Sequence, residues 1–175
     1  SIGIAVSGEA KADPAELMRQ ADLALYRTKE EGRNGFRFFE DSMNDEIQGR
    51  MALGQDLHQA LEMDELFLEY QPQVDLRSRR LVGVEALVRW HDESRGWVPP
   101  DQFLPLAERA GLMSAITRTV LDLSLDQARV MRQQGFPLPV SVNLSASDLL
   151  DVGLVDHIAA ALTARGLTGD ALKIE

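Results

Sequence analysis

The strongest constraint on this chain is a charged residue in a segment that has no obvious room for one. Leu81, Val82, Val84, Ala86, Leu87 and Val88 make a nearly continuous apolar run, with Glu85 in its middle. Such a run suits a strand buried on both faces, as in a parallel sheet covered by helices. A carboxylate inside it needs a cation or several donors to offset its desolvation. Strand side chains alternate, so Glu85, Leu87 and Arg89 point to one side. The pair Glu85 and Arg89 is either a plain ion pair or a metal ligand beside a phosphate clamp. A second strand precedes this one: residues 67–76 and 81–90 are both rich in Phe, Leu, Tyr and Val, and Arg77-Ser78-Arg79-Arg80 breaks them as a turn. With so short a turn the two strands should pair antiparallel.

Charge narrows the partners. Lys and Arg number 18 against 28 Asp and Glu, a net charge of −10. An acidic chain is a poor binder of nucleic acid polymers, which requires basic residues to neutralise phosphates. There is no cysteine, so disulfides and thiolate metal sites are excluded. No apolar run is long enough to span a bilayer. The chain starts at Ser1 inside an apparent strand and ends at Glu175 directly after another, as expected of a piece of a longer protein.

The rest of the chain reads in order. Ile2–Val6 is a short strand, ended by Ser7-Gly8. Asp13 caps a helix that Pro14 opens, and Leu17, Ala21, Ala24, Leu25 and Thr28 form its inner face until Gly32 stops it. Lys29 and Arg33 then sit near its end, where basic residues complement the helix dipole. Phe36–Phe39 is another strand. Residues 42–61 form a helix capped by Ser42, with Met43, Ile47, Met51, Gly54, Leu57 and Leu61 as its stripe. It is either a connector packed on the next domain or a helix that pairs with a second copy, and Gly49 and Gly54 weaken the latter.

After Trp90 a loop carrying an exposed His91 leads to a short helix from Pro99-Pro100, with Phe103, Leu106 and Ala107 buried and Gly111 at its end. Leu112–Gln134 is a helix with Ile116, Val120, Leu123, Gln127 and Val130/Met131 at helical spacing. Pro139–Leu144 is a strand ending near Asn143. Ser145 or Ser147 could cap the following turn, which leaves Asn143 for a ligand. Asp156–Arg165 is a helix closed by Gly166, and Leu172–Glu175 is the next strand.

Strands separated by helices call for parallel pairing with right-handed crossovers. An open doubly wound sheet and a (β/α)8 barrel both fit. Gln71, Glu85, Asn143 and Glu175 fall within or at the ends of successive strands, and the gathering of polar groups at strand ends favours the barrel. Glu85, Asn143 and Glu175 offer oxygen donors without histidine or cysteine, a set suited to a hard cation such as Mg2+ or Mn2+. Arg89 could hold a phosphate oxygen or stack on a base, and Gln71 could hydrogen-bond a substrate.

Two resemblances sharpen this picture. Ser1-Ile2-Gly3-Ile4-Ala5, Ala21-Asp22, Ala24-Leu25-Tyr26, Lys29 and Gly32-Arg33-Asn34 resemble the C-terminal end of a GGDEF (diguanylate cyclase) domain, with Thr28 where that family usually has alanine. By that resemblance Lys29 and Arg33 match positions that contact nucleotide phosphates. Tyr70-Gln71-Pro72, Gly83-x-Glu85-Ala86-Leu87-x-Arg89-Trp90, Pro100-x-x-Phe103-x-Pro105-x-Ala107-Glu108-x-x-Gly111-Leu112, Val142-Asn143-x-Ser145 and Leu172-x-Ile174-Glu175 resemble the first half of an EAL domain. The turn at Arg77–Arg80 departs from that family's glycine-containing turn.

The resemblances imply an α/β chain in three parts. Residues 1–40 would be the α+β tail of a GGDEF domain, 41–62 a linker helix, and 63–175 the first half of a TIM-like (β/α)8 barrel. They imply a phosphodiesterase that opens cyclic di-GMP to linear pGpG with metal-activated water. Glu85, Asn143 and Glu175 match its metal ligands, and Gln71, Leu87 and Arg89 its substrate contacts. The remaining site groups of the family lie beyond Glu175, so this piece alone is expected to be inactive. Alternatives are a degenerate EAL domain that binds the nucleotide or a protein, and a diguanylate cyclase with a regulatory EAL domain. The expected location is cytoplasmic, in a parent that could be membrane-anchored upstream and could form a homodimer through the linker helix or the EAL domain.

Overall fold

The computed structural model describes residues 1–7, 13–30 and 32–175, arranged as two compact units, 1–53 and 54–175. In the first, β1 (Ile2–Ile4) pairs in parallel with β2 (Phe36–Phe38), and α1 (Pro14–Glu30) packs on both. The crossover works because Gly3 has no side chain: a Cβ there would overlap Ala21 O and Leu25 N and lie 2.7 Å from Leu25 Cα. Asp13 Oδ1 accepts the Ala15 N–H at 3.1 Å, which starts α1, and Ala24 and Thr28 are its buried residues. Gly8, expected to end the first strand, lies outside the described residues.

The next helix, α2 (Asp41–Glu62), begins one residue before Ser42, so Ser42 is inside it rather than its cap. Met43 is buried in the first unit, and Leu57 and Ala60 are fully buried in the second. The side chains of Ile47 and Met51 lie outside the described residues. Leu61, expected in the stripe, is only half-buried, and Ala60 takes the inward position.

The second unit is built on a mixed sheet. β3 (Leu66–Val74) and β4 (Leu81–Asp92) form the antiparallel hairpin that the short turn requires. Arg79 occupies the left-handed region at φ 56°, where glycine is usual, and Asp75 Oδ1 holds the turn through the Ser78 N–H at 2.6 Å. β6 (Val140–Val142) lies parallel to β4, and β7 (Leu172–Ile174) parallel to β6, giving the order β3–β4–β6–β7. A strand not expected from the sequence, β5 (Gly96–Val98), turns back on the end of β4 where a loop was read. Its turn is made by Asp92, whose Oδ1 accepts the N–H groups of Ser94 and Arg95, and by Gly96 at φ 77°. His91 is exposed there, edge-on to Trp97 at 5.4 Å.

Two helices, α3 (Pro100–Ala110) and α4 (Met113–Gln133), cover one face of this sheet, and α5 (Leu154–Ala164) packs on α4. The core between helices and sheet holds Trp90 and Phe103, ring to ring at 5.7 Å and 87°, with Leu121, Leu125, Val140 and Val142. The buried face of α4 is rotated from the expected one. Ile116, Thr117, Val120, Leu121, Ser124, Leu125 and Ala128 point inward, while Leu123 and Val130 are exposed. Small residues let α4 sit close to the sheet, and their low hydrophobicity hides the face from an apolar count. Nor is β4 buried on both faces: Val84, Ala86 and Trp90 are buried under the helices, whereas Glu85, Leu87 and Arg89 on the other face are only half-buried. Among the described residues no helix is long and apolar enough to cross a membrane.

Candidate functional site

The sheet face away from the helices is polar, and strand register decides what stands beside what. Gln71 lies opposite Glu85, and Glu85 is in turn aligned with Ser141 on β6. Ser141 is aligned with Lys173 on β7. With period-two alternation, Asn143 and Glu175, two residues further on, share this face. The pleat thus turns Gln71, Glu85, Asn143 and Glu175, from four neighbouring strands, to one side.

Within that face the contacts are specific. Asn143 Nδ2 donates to Glu85 Oε1 at 2.7 Å. Arg89 does not pair with Glu85, the ion-pair alternative read from the sequence; its Nε donates to Glu69 Oε2 at 2.6 Å and its Nη1 to Val88 O at 2.9 Å. Glu175 Oε1 accepts from Lys173 Nζ at 2.6 Å and from Gln73 Nε2 at 3.4 Å. The Lys173 ammonium first, with the Ser141 and Gln73 donors, holds the Glu175 carboxyl below the usual carboxylate range. Ser141 Oγ lies 3.3 Å from Gln73 Oε1 and shares its one hydrogen between Gln73 and Glu175, so Gln73 ties β3 to β6 and β7.

Asn143 is available because the turn after it is closed by others. Asp148 Oδ2 accepts the Ser145 N–H at 2.8 Å and the Ser145 hydroxyl at 2.7 Å. Leu144 N donates to Glu175 O at 3.0 Å, which fixes the end of β6 against the end of β7. Among the described residues the 2.7, 2.6 and 3.4 Å contacts at the two carboxylates fall on Oε1 of Glu85 and Oε1 of Glu175, and Asn143 bonds through Nδ2. An all-oxygen set of two carboxylates and an amide fits a hard divalent cation. Among the described residues no three His, Cys, Asp or Glu side chains cluster as a metal site.

A cleft of about 300 Å³ opens at the ends of β4 and β6 under α3 and α4. Residues 86–89 of β4, Leu104, Met113, Ile116, Thr117 and Val120 of the helices, and residues 143–145 after β6 line it, so the cleft lies between sheet and helices and reaches the strand ends that carry Arg89 and Asn143. Tyr70 points the other way. Its hydroxyl meets Leu123 O at 3.5 Å, and burial, then the Asp126 charge, pushes its pKa up to about 12. The contact joins β3 to α4.

The matching family model is the EAL domain, over residues 54–175. This chain belongs to the EAL family. The EAL chain is 43% identical over its whole length to the bifunctional diguanylate cyclase/cyclic di-GMP phosphodiesterase MucR of Pseudomonas aeruginosa, covering 26% of that protein. It is 39% identical to the cyclic di-GMP phosphodiesterase PdeR of Escherichia coli over 86% of this chain and 23% of PdeR. It therefore spans about a quarter of the length of these curated relatives. Among solved structures, the P. aeruginosa MucR phosphodiesterase in complex with c-di-GMP aligns with a TM-score of 0.67 and 41% identity, over 70% of this chain and 50% of that one. The P. aeruginosa FimX EAL domain bound to c-di-GMP aligns at 0.62 and 31%, over 71% and 48%. The mixed sheet with its helices is thus an EAL-type fold.

Sequence reasoning singled out Gln71, Glu85, Leu87, Arg89, Asn143 and Glu175, and all six belong to this second unit. Lys29 and Arg33 lie in the first unit, both exposed, with Arg33 at φ 63° donating its N–H to Thr28 O. Sequence reasoning missed Glu69, Gln73, Ser141 and Lys173. Each stands two residues from a chosen site residue on the same strand, so period-two alternation carried outward from Gln71, Asn143 and Glu175 would have found them.

Proposed function

We propose that this chain is part of a phosphodiesterase that hydrolyses cyclic di-GMP to linear pGpG. The observation that carries the reading is the 2.7 Å contact between Asn143 and Glu85, on the polar face that also bears Gln71 and Glu175. A carboxylate in an otherwise apolar strand, bonded by one amide and facing an open surface, has a ligand as its natural counterpart. Glu85, Asn143 and Glu175 would hold Mg2+ or Mn2+, which when bound polarises a phosphodiester and acidifies a water. Gln71 presents an amide to the substrate from mid-strand. Arg89 and Leu87 meet it at the mouth of the cleft, where Leu87 excludes water from one side. Lys173 and Gln73 hold Glu175 through Oε1, which would leave Oε2 for the ion.

MucR and PdeR are phosphodiesterases by name, which supports the same activity for a longer polypeptide containing this chain. MucR also aligns with residues 1–53 and is named as a diguanylate cyclase, which supports reading 1–40 as a GGDEF tail with Lys29 and Arg33 near nucleotide phosphates, and 41–62 as a linker. Parallel pairing of β4, β6 and β7 supports the first half of a (β/α)8 barrel, completed by later chain. On this reading residues 1–175 alone are inactive, and the whole protein works in the cytoplasm, as a homodimer through the linker helix or the EAL domain.

The test uses the longest natural polypeptide that contains this chain. With cyclic di-GMP and Mg2+ or Mn2+, wild type yields pGpG and Glu85→Ala does not, while calorimetry shows weaker Mn2+ binding in Glu85→Ala. Binding of cyclic di-GMP without product would turn the reading to a nucleotide receptor, and neither product nor binding would overturn it.

A further inference from the structure

Among the described residues Glu69 is the one acidic side chain of the polar face outside the proposed metal set. It lies opposite Leu87 on the hairpin, diagonal to Arg89, and receives the Arg89 Nε–H at 2.6 Å. Arg89 also gives an Nη1 N–H to Val88 O at 2.9 Å. Two of its five donors are therefore spent inside the hairpin, one on Nε and one on Nη1. Its other three hydrogens, two on Nη2 and one on Nη1, make no hydrogen bond among the described residues, and Arg89 lines the cleft. Phe67, directly across from Arg89, is braced edge-on by Trp97 at 5.3 Å, which closes the remaining side.

A guanidinium on a flexible stem is of use to an anionic ligand only when its fork is held in one orientation, because ordering it on binding costs rotamer entropy. We propose that Glu69 is a positioning residue that pre-orients Arg89 for the phosphate-bearing ligand of this site. The proposal rests on the reading of the face as a cyclic di-GMP site. It adds that affinity depends on a residue two positions before Gln71 that makes no contact with the ligand itself.

Removing Glu69 also removes a negative charge near an anionic ligand, which by itself would tighten binding. Two variants separate the effects. Glu69→Gln and Glu69→Ala change the charge equally, but only Gln keeps an oxygen that can accept the Arg89 Nε–H. In the longest natural polypeptide, cyclic di-GMP should bind Glu69→Gln about tenfold more tightly than Glu69→Ala, the effect of one hydrogen bond's worth of orientation. In steady-state hydrolysis the difference should fall on KM, with kcat alike in both. Equal affinity of the two variants would overturn the proposal, as would tighter binding by Glu69→Ala. A ligand-free readout keeps the inference separate from the phosphodiesterase reading. The Arg89 Nε–H resonance should be slow to exchange in wild type and Glu69→Gln and fast in Glu69→Ala. An exchange rate unchanged in Glu69→Ala would overturn the pairing even if hydrolysis is confirmed. Slow exchange in wild type with no nucleotide binding would refute the functional reading and the ligand-orienting role, leaving only the contact.

Discussion

Replacing Trp90 by Phe tests how the strand that carries Glu85 and Arg89 is held from behind. Trp90 is fully buried, with its ring edge-on to Phe103 at 5.7 Å and its Nε1 donating to Glu65 Oε2 at 3.1 Å. Phenylalanine keeps the ring pair but leaves a void where the indole's second ring stood. Removing roughly two methylene-sized groups from a packed core costs about 1.5–2 kcal/mol, transfer and cavity together. The lost hydrogen bond to a carboxylate adds about 1 kcal/mol, at the low end for a charged acceptor because Glu65 is only half-buried and water can replace the indole. The expected total is about 3 kcal/mol, a large part of a domain's net stability. Urea unfolding of the longest natural polypeptide, followed by tryptophan-independent far-UV circular dichroism, gives the number, and a cycle with Glu65→Ala should return a coupling of about 1 kcal/mol. A loss below 1 kcal/mol for Trp90→Phe, or no coupling to Glu65, would refute the reasoning.

Other expectations follow from local geometry. The Asp151 carboxylate accepts from Ser114 Oγ and Arg118 Nη2, both at 2.7 Å, and these hold its pKa down to about 2 against a usual 3.8. Because the folded value is the depressed one, its stabilisation is complete above pH 3.8 and is lost as pH falls toward 2; Asp151→Asn should flatten an acid titration of stability in that window. Gly3→Ala forces β1 off α1, so amides of Ile2–Ile4 should lose hydrogen-exchange protection while those of β4 and β6 keep theirs. Arg79→Gly relieves a left-handed side chain at φ 56° and should leave stability unchanged or raise it by up to about 1 kcal/mol, read as a shift in urea midpoint.

The hairpin and the parallel pairing of β6 and β7 were legible because their signals are local: β-rich runs, a short polar turn, and helices between the later strands. The polar residues were legible because each interrupts an apolar run. The errors arise where tertiary packing decides. The inner face of α4 uses Thr117, Ser124 and Ala128, and an apolar count chose Leu123 and Val130 instead. β5 is three residues long and exists because Asp92 and Gly96 make a turn, a signal too brief to outweigh the polar stretch around it. The partner of Arg89 was unreadable because it comes from a neighbouring strand, and sequence proximity offered Glu85 first.

The irregular register between Gln73 and Val74 divides the hairpin into two zones with different tolerance to change in length. Beyond it, residues can be gained or lost around Asp75–Arg80 and the disturbance ends at the irregularity. On the near side, one inserted residue between Leu66 and Gln73 would swap the two faces of β3. Glu69 and Gln71 would turn under the helices, and Leu68 and Tyr70 would be delivered to the face that holds Glu85. Drift in the length of this turn is therefore chemically silent, while a single insertion a few residues earlier would abolish the site without touching any residue in it.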